Sequence, residues 1–171
     1  MKEVKKVEFK VHEIVPSQLL KIIVRPYIFM IFLCLIESGI LLKVGQVKEV
    51  ISFWIIMMIG VFGSFFLHEY AHLHIMKKCG IDIVKIKCKM WKISLIPKGT
   101  LKGIQLIYIG VAGSFVCGAV GIVCLLIGKL TDLEVIKVIG IIYVIHLFNI
   151  FPWFGDGKMI VKGWLTRDLE L

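Results

Sequence analysis

The sequence predicts an all-α membrane protein with about four transmembrane helices and a small β-hairpin or sheet between the second and third. Of its 171 residues, 58% are hydrophobic, and the mean hydropathy is +0.92. Ordinary soluble domains are only about 45–50% apolar. The apolar residues are gathered in runs that are long enough to cross a bilayer at about 1.5 Å per helical residue. The length suits one domain.

The chain divides into three parts by composition. Residues 1–25 form a basic segment that we expect in the cytosol or at the interface. Alternation over Val7–Val11 is typical of a short strand, and from Ser17 the pattern favours an amphipathic helix lying on the membrane. No cleavable signal peptide is expected, because no apolar stretch precedes a small-residue cleavage site. The membrane-embedded core is predicted at 26–165, with a C-terminal tail at 166–171.

The candidate spans are residues 26–42, 50–77, 103–128 and 135–151. Glu37 lies in the first; we interpret it as a carboxylate near the outer interface because Lys43 follows, with a contact to a functional site as the alternative. The third run is rich in small residues, which let helix backbones approach closely. A short interfacial helix is expected from Met159 to Leu165, anchored by Trp164.

The segment Cys79–Lys102 is not a span. Residues with β-branched side chains alternate with lysines at a period of two, which predicts a β-hairpin or small sheet at the membrane surface. The lysines could bind anionic headgroups or form a merely solvated strand face.

The net charge of +9 has no accompanying nucleic-acid motif, so we interpret it through the positive-inside rule and anionic lipid. Lysine and arginine counts of six in residues 1–25, two in the first loop and eight from Lys77 to Lys102 predict that both termini are cytosolic. The five cysteines contain no C-x-x-C pair and are expected to be free thiols.

The motif His68-Glu69-Tyr70-Ala71-His72 reads H-E-x-x-H at the end of the second run. Residues four apart share a helix face, so His68 and His72 can bind one zinc ion. Glu69 is placed to act as general base without being a ligand. A chance match is the alternative, but ionisable groups that end an apolar run are costly and usually functional.

A catalytic zinc ion takes three protein ligands and keeps an open position. The candidates for the third are Asp156, His146, Asp82 and the cysteines. Asp156 lies between two glycines that let the backbone bend, although it could be an ordinary turn aspartate. On a continuous helix His146 would lie about 15 Å from Asp156, deeper in the membrane. His74 is expected to point away from the ligand face.

Together, H-E-x-x-H and Asn149-x-x-Pro152 followed by Asp156-Gly157 resemble the site-2 protease family of membrane-embedded zinc metalloproteases. The resemblance covers roughly residues 51–162 and includes a β-element after the zinc helix. Ala112-Gly113-Ser114 stands where the family often has Ala-Gly-Pro. The length leaves no room for a PDZ or regulatory domain, so the resemblance implies a minimal member.

The resemblance implies that His68, His72 and Asp156 bind Zn²⁺, that Glu69 is the base, and that Asn149 helps to position substrate. It also implies a membrane-protein or peptide substrate and an active site toward the cytoplasmic side. The chain departs from the family in having three rather than four residues between Pro152 and Asp156, and Ser114 in place of proline.

Two other functions remain open at this point. A non-hydrolytic metal-binding membrane protein or transporter has no need of a carboxylate in the position of Glu69. A non-catalytic partner subunit has no need of an intact H-E-x-x-H.

Overall fold

The computed structural model describes residues 6–10, 14, 16–81, 83–89, 92–98 and 101–167. Three helical stretches within them are long and apolar enough to cross a membrane: Val47–Lys78, Gly103–Thr131 and Glu134–Leu165. Pro16–Val24 and Ile28–Lys43 meet at a bend of 71° and add a fourth crossing if the pair is one broken span. These three stretches are consistent with an integral membrane protein. A fourth crossing stays a prediction.

In chain order the elements are β1 (Lys6–Lys10), α1 (Pro16–Val24), α2 (Ile28–Lys43), α3 (Val47–Ile55), a π-helix (Ile56–Phe62), α4 (Gly63–Lys78), β2 (Ile83–Lys89), β3 (Lys92–Lys98), α5 (Gly103–Thr131), α6 (Glu134–Ile145), a 3₁₀-helix (His146–Ile150) and α7 (Gly155–Leu165).

Helix α1 packs inward on the protein. Leu19 and Ile23 are fully buried and belong to the same core cluster as Leu73 and Met76 of α4. Leu20, between them, is 43% exposed. The apolar stripe of α1 therefore covers the helix that carries the H-E-x-x-H motif.

The helix that ends in this motif is interrupted by the π-helix Ile56–Phe62. Such segments free backbone carbonyls and are frequent at functional sites. The hydroxyl of Tyr143 on α6 donates a hydrogen bond of 3.1 Å to the carbonyl oxygen of Ile59. Helix α6 thereby stabilises the irregular part of the helix that carries the H-E-x-x-H motif.

Helix α5 is the centre of the helical packing, and its glycines set how closely its neighbours approach. A Cβ at Gly110 would lie 2.8 Å from the Ile160 side chain of α7, and one at Gly121 would lie 2.7 Å from the backbone nitrogen of Val144 on α6. These distances are too short for real contacts. The small residues of the third apolar run therefore bring α6 and α7 against α5.

The strands form one antiparallel sheet in the order β1-β2-β3. Strands β2 and β3 lie in the segment for which the sequence predicts a hairpin or sheet, and β1 comes from the N-terminal segment. Leu95 of β3 is buried in the core cluster beside Met76 of α4. The sheet therefore lies beside the C-terminal part of α4.

The end of the third long stretch differs from the sequence expectation. Helix α6 ends at Ile145, a 3₁₀-helix follows, and α7 begins at Gly155 rather than at Met159. Asp156 consequently lies in the first turn of a helix and not in a loop.

Candidate metal centre

The H-E-x-x-H residues lie on α4 with their side chains buried. His68, Glu69 and His72 are 4%, 8% and 5% exposed. The two imidazoles are one helical turn apart, and their Nε2 atoms are 3.1 Å from each other. The shared face predicted from the spacing is therefore present.

Asp156 reaches these histidines from the first turn of α7. Its Oδ2 lies 3.0 Å from His68 Nε2 and 3.4 Å from His72 Nε2. Helix α7 starts so close to the preceding turn that a Cβ at Gly157 would collide with the carbonyl of Phe151. A glycine after Asp156 is therefore required by the close approach of the backbone.

The three atoms have the spacing of ligands around one tetrahedral ion. Bonds of about 2.0–2.1 Å to zinc place neighbouring ligand atoms about 3.3 Å apart, and the observed separations are 3.0, 3.1 and 3.4 Å. His72 Nδ1 lies 2.6 Å from the carbonyl oxygen of Ile109 and must donate to it. In the neutral ring Nε2 then carries no hydrogen, and its lone pair is available to a metal ion. The residues present fit a zinc ion.

His68 is held differently from His72. Its Nδ1 is buried and has no hydrogen-bond partner in the described part of the chain. Its ring is instead packed against that of His146, with centroids 4.8 Å apart. On its Nδ1 side, packing rather than a hydrogen bond therefore holds this imidazole.

Gly113 on α5 makes room for both imidazoles. A Cβ there would lie 2.5 Å from His72 Nε2 and 2.8 Å from His68 Cε1. Ser114, the next residue, has its hydroxyl 3.4 Å from Asp156 Oδ2 and can donate to it. One turn of α5 thus contacts all three candidate ligands.

A cavity of about 500 Å³ opens onto these residues. Glu69 and Asn149 line it beside the three candidate ligands, and Leu95 and Ile96 of β3 line its other side. The candidate base, the candidate ligands and the candidate substrate-positioning residue therefore face one space.

His146 is where the sequence expectation was wrong. It does not lie about 15 Å away along a continuous helix, but against His68, with Nε2 3.1 Å from the hydroxyl of Ser64. The 3₁₀-helix and the turn before α7 interrupt the α-helix between His146 and Asp156. His146, Cys117 and His68 also place ligand-type atoms within 4.8 Å of one another, although Cys117 Sγ has the Ser64 carbonyl as a partner at 3.4 Å.

The other residues considered from sequence lie elsewhere. His74 and Glu37 are exposed, and neither lines the cavity. Burial raises the pKa of the Cys79 thiol, away from the thiolate form that binds metals. Asp82 and the side chain of Cys88 lie outside the described residues.

Sequence reasoning missed Ser64 and the role of Gly113. Ser64 is fully buried one turn before His68, and Gly113 meets the histidines only through the packing of α5 on α4. A signal existed for Gly113, which stands in the Ala-Gly-Ser segment, and none existed for Ser64.

Comparison with known proteins found a zinc metalloprotease of Methanocaldococcus jannaschii that is 31% identical over 127 residues. The aligned part is 67% of this chain and 36% of that protein, so the chain spans about a third of the relative's length. No protein-family model matches the chain, and no solved structure matches it. Over two thirds of its length, the chain is similar to a protein named as a zinc metalloprotease.

Proposed function

We propose that the chain is a membrane-embedded zinc endopeptidase of the site-2 protease type. It would hydrolyse peptide bonds of a membrane protein or of a small peptide precursor within or near the bilayer. The observation that carries the proposal is the convergence of His68, His72 and Asp156 at zinc-ligand spacing, with buried Glu69 in the same cavity. The similarity to a named zinc metalloprotease supports the metal and the reaction class.

The chain's own residues supply the remaining steps. Zinc at this position would polarise a peptide carbonyl and make a water molecule more acidic. His68, His72 and Asp156 would hold the ion. The Glu69 carboxylate would accept the proton of the attacking water and return it to the leaving amine. Burial of these groups strengthens the electrostatic interactions among them.

Strand β3 is the candidate holder of the substrate. In the described sheet it pairs only with β2, and its Leu95 and Ile96 line the cavity. A helical substrate hides its peptide bonds in its own hydrogen bonds, so it must unwind locally. An unwound segment could add to β3 as a further strand, with pairing between main chains.

The proposed topology has both termini in the cytosol and the site toward the cytoplasmic side. It rests on the lysine asymmetry of the sequence. A cysteine at Gln46 should react with an impermeant reagent from outside, and one at Lys98 should not. The reverse labelling would overturn this topology.

The test of the function uses purified protein in detergent micelles and a degenerate library of quenched fluorescent peptides rich in apolar residues. Wild type should hold one zinc ion per chain and cleave a subset of the library. Glu69→Gln should keep the zinc and lose roughly 10²–10⁴-fold in rate, the usual contribution of a general base.

Loss of zinc in Glu69→Gln would show that Glu69 is a ligand and not the base. Zinc binding by both proteins with no cleavage by either would favour the non-hydrolytic metal-binding protein or transporter.

A further inference from the structure

We infer that His146 is a positioning residue that orients the amide of Asn149, so that its carbonyl oxygen receives a backbone N–H of the bound peptide. The inference rests on the proposed function for the identity of the ligand. It concerns four groups in a row, which we call the relay: the Val61 carbonyl, the Ser64 hydroxyl, the His146 imidazole and the Asn149 amide.

The first contact of the relay fixes a proton. The Ser64 hydroxyl donates to the carbonyl oxygen of Val61 at 2.9 Å. A hydroxyl has one hydrogen to donate, so its contact with His146 Nε2 at 3.1 Å must be one in which Ser64 accepts. The proton of that contact therefore belongs to His146 Nε2.

The second contact follows from the first. A neutral imidazole that carries its hydrogen on Nε2 has an acceptor at Nδ1. The Asn149 side-chain nitrogen lies 3.4 Å from that atom and is the donor of the amide. The carbonyl oxygen Oδ1 is then turned away from His146. Since Asn149 lines the cavity, Oδ1 is the atom of its amide that a bound peptide can meet.

The relay is held in place at its His146 end. His146 is 7% exposed, and its ring meets Phe65 edge to face at a centroid distance of 5.3 Å. Val61 belongs to the π-helix, whose freed carbonyls need partners other than the helix itself. The Val61 carbonyl of this π-helix thus holds the Ser64 hydroxyl, which in turn contacts His146.

An acceptor at Asn149 selects a class of substrate. The residue that meets Oδ1 must have a free backbone N–H, which proline lacks and which an intact helix uses internally. The expected substrate is an unwound segment without proline at that position. N-methylation of that one peptide amide should slow cleavage by the wild-type protein and change the cleavage rate of Asn149→Ala little.

The variants that test the relay are His146→Leu, His146→Gln, Asn149→Ala and the double variant His146→Leu/Asn149→Ala. On the best peptide of the library, His146→Leu should lower kcat/KM about tenfold, as expected for one lost buried hydrogen bond. The loss should lie in KM, because the contact is made equally in the bound state and in the transition state. Glutamine offers one donor and one acceptor, so His146→Gln should restore most of the activity.

The double variant should be no worse than Asn149→Ala, since His146 acts through Asn149. His74→Leu, the same change at an exposed position of α4, is the matched control and should be neutral. Additive losses, a loss confined to kcat, or a His146→Gln variant as poor as His146→Leu would each overturn the inference.

A measurement on wild type covers the case in which His146→Leu fails to fold. ¹⁵N NMR of the histidine-labelled, zinc-loaded protein should show His146 neutral with its proton on Nε2. A proton on Nδ1 would overturn the inference without any assay of activity. Failure of the wild-type protein to bind zinc or to cleave the library would instead overturn the proposed function.

Discussion

The two sides of the His68 ring present opposite arrangements of polar atoms. On one side lies the triad of His68, His72 and Asp156, where three possible ligand atoms converge at 3.0–3.4 Å. On the other side lies the relay, where each donor faces an acceptor. A cation can satisfy three converging ligand atoms, whereas groups already paired as donor and acceptor need none. The difference favours the triad as the candidate metal site.

Cys117 belongs to a second group of possible metal ligands, which the hydrogen bonds around it make the less favoured site. Cys117, His146 and His68 lie close enough to hold an ion. However, Cys117 has the Ser64 carbonyl as its partner, and His146 has the Ser64 hydroxyl. Both side chains thus already have a hydrogen-bond partner on Ser64.

Among changes outside the triad, the largest expected effect comes from filling the space beside it. Gly113→Ala places a methyl group 2.5 Å from His72 Nε2. We expect zinc affinity to fall about 100-fold, the upper range for changes that disturb ligand orientation. Competition with a chelator measures it. Gly39→Ala is the control, because a Cβ there meets nothing within 4 Å; an equal loss in both would refute the steric account.

A smaller effect is expected from the group that touches Asp156 from outside the triad. Ser114→Ala removes a hydroxyl 3.4 Å from Oδ2. Such partners orient ligands, so we expect zinc affinity to fall about tenfold, the lower range for such changes. The same chelator competition measures it. Unchanged affinity would show that Asp156 is held by the start of α7 alone.

The smallest effect on zinc binding is expected in the group of Cys117, His146 and His68. Cys117→Ser replaces a weak S–H donor with a hydroxyl that can donate to the same carbonyl of Ser64. Zinc content and cleavage rate should change by less than about twofold, because the removed sulfur is no ligand. Loss of half or more of the bound zinc in this variant would instead assign the metal to the group of Cys117, His146 and His68.

The sequence predicted the parts of the site that are local in the chain. The spacing of His68 and His72 defines one helix face, and the apolar runs at 50–77 and 103–128 lie within the observed Val47–Lys78 and Gly103–Thr131. The role of Asp156 came from the resemblance. His146 was misplaced because the rise per residue of an α-helix was applied through a segment in which the α-helix ends at Ile145.

Other features could not be predicted because they depend on packing between helices. The π-helix Ile56–Phe62 has no signature in an apolar run, and the closeness of Gly113 to the histidines exists only once α5 lies on α4. The bend of 71° between α1 and α2 also depends on packing, and it decides whether the pair forms a fourth crossing.

The most direct test of the central claim is the zinc content of purified Asp156→Asn compared with His146→Leu and wild type. Both changed residues lie beside His68, one in the triad and one in the relay. The account predicts one zinc ion per chain in wild type and in His146→Leu, and loss of zinc in Asp156→Asn. Retention of zinc by Asp156→Asn together with its loss from His146→Leu would contradict the account.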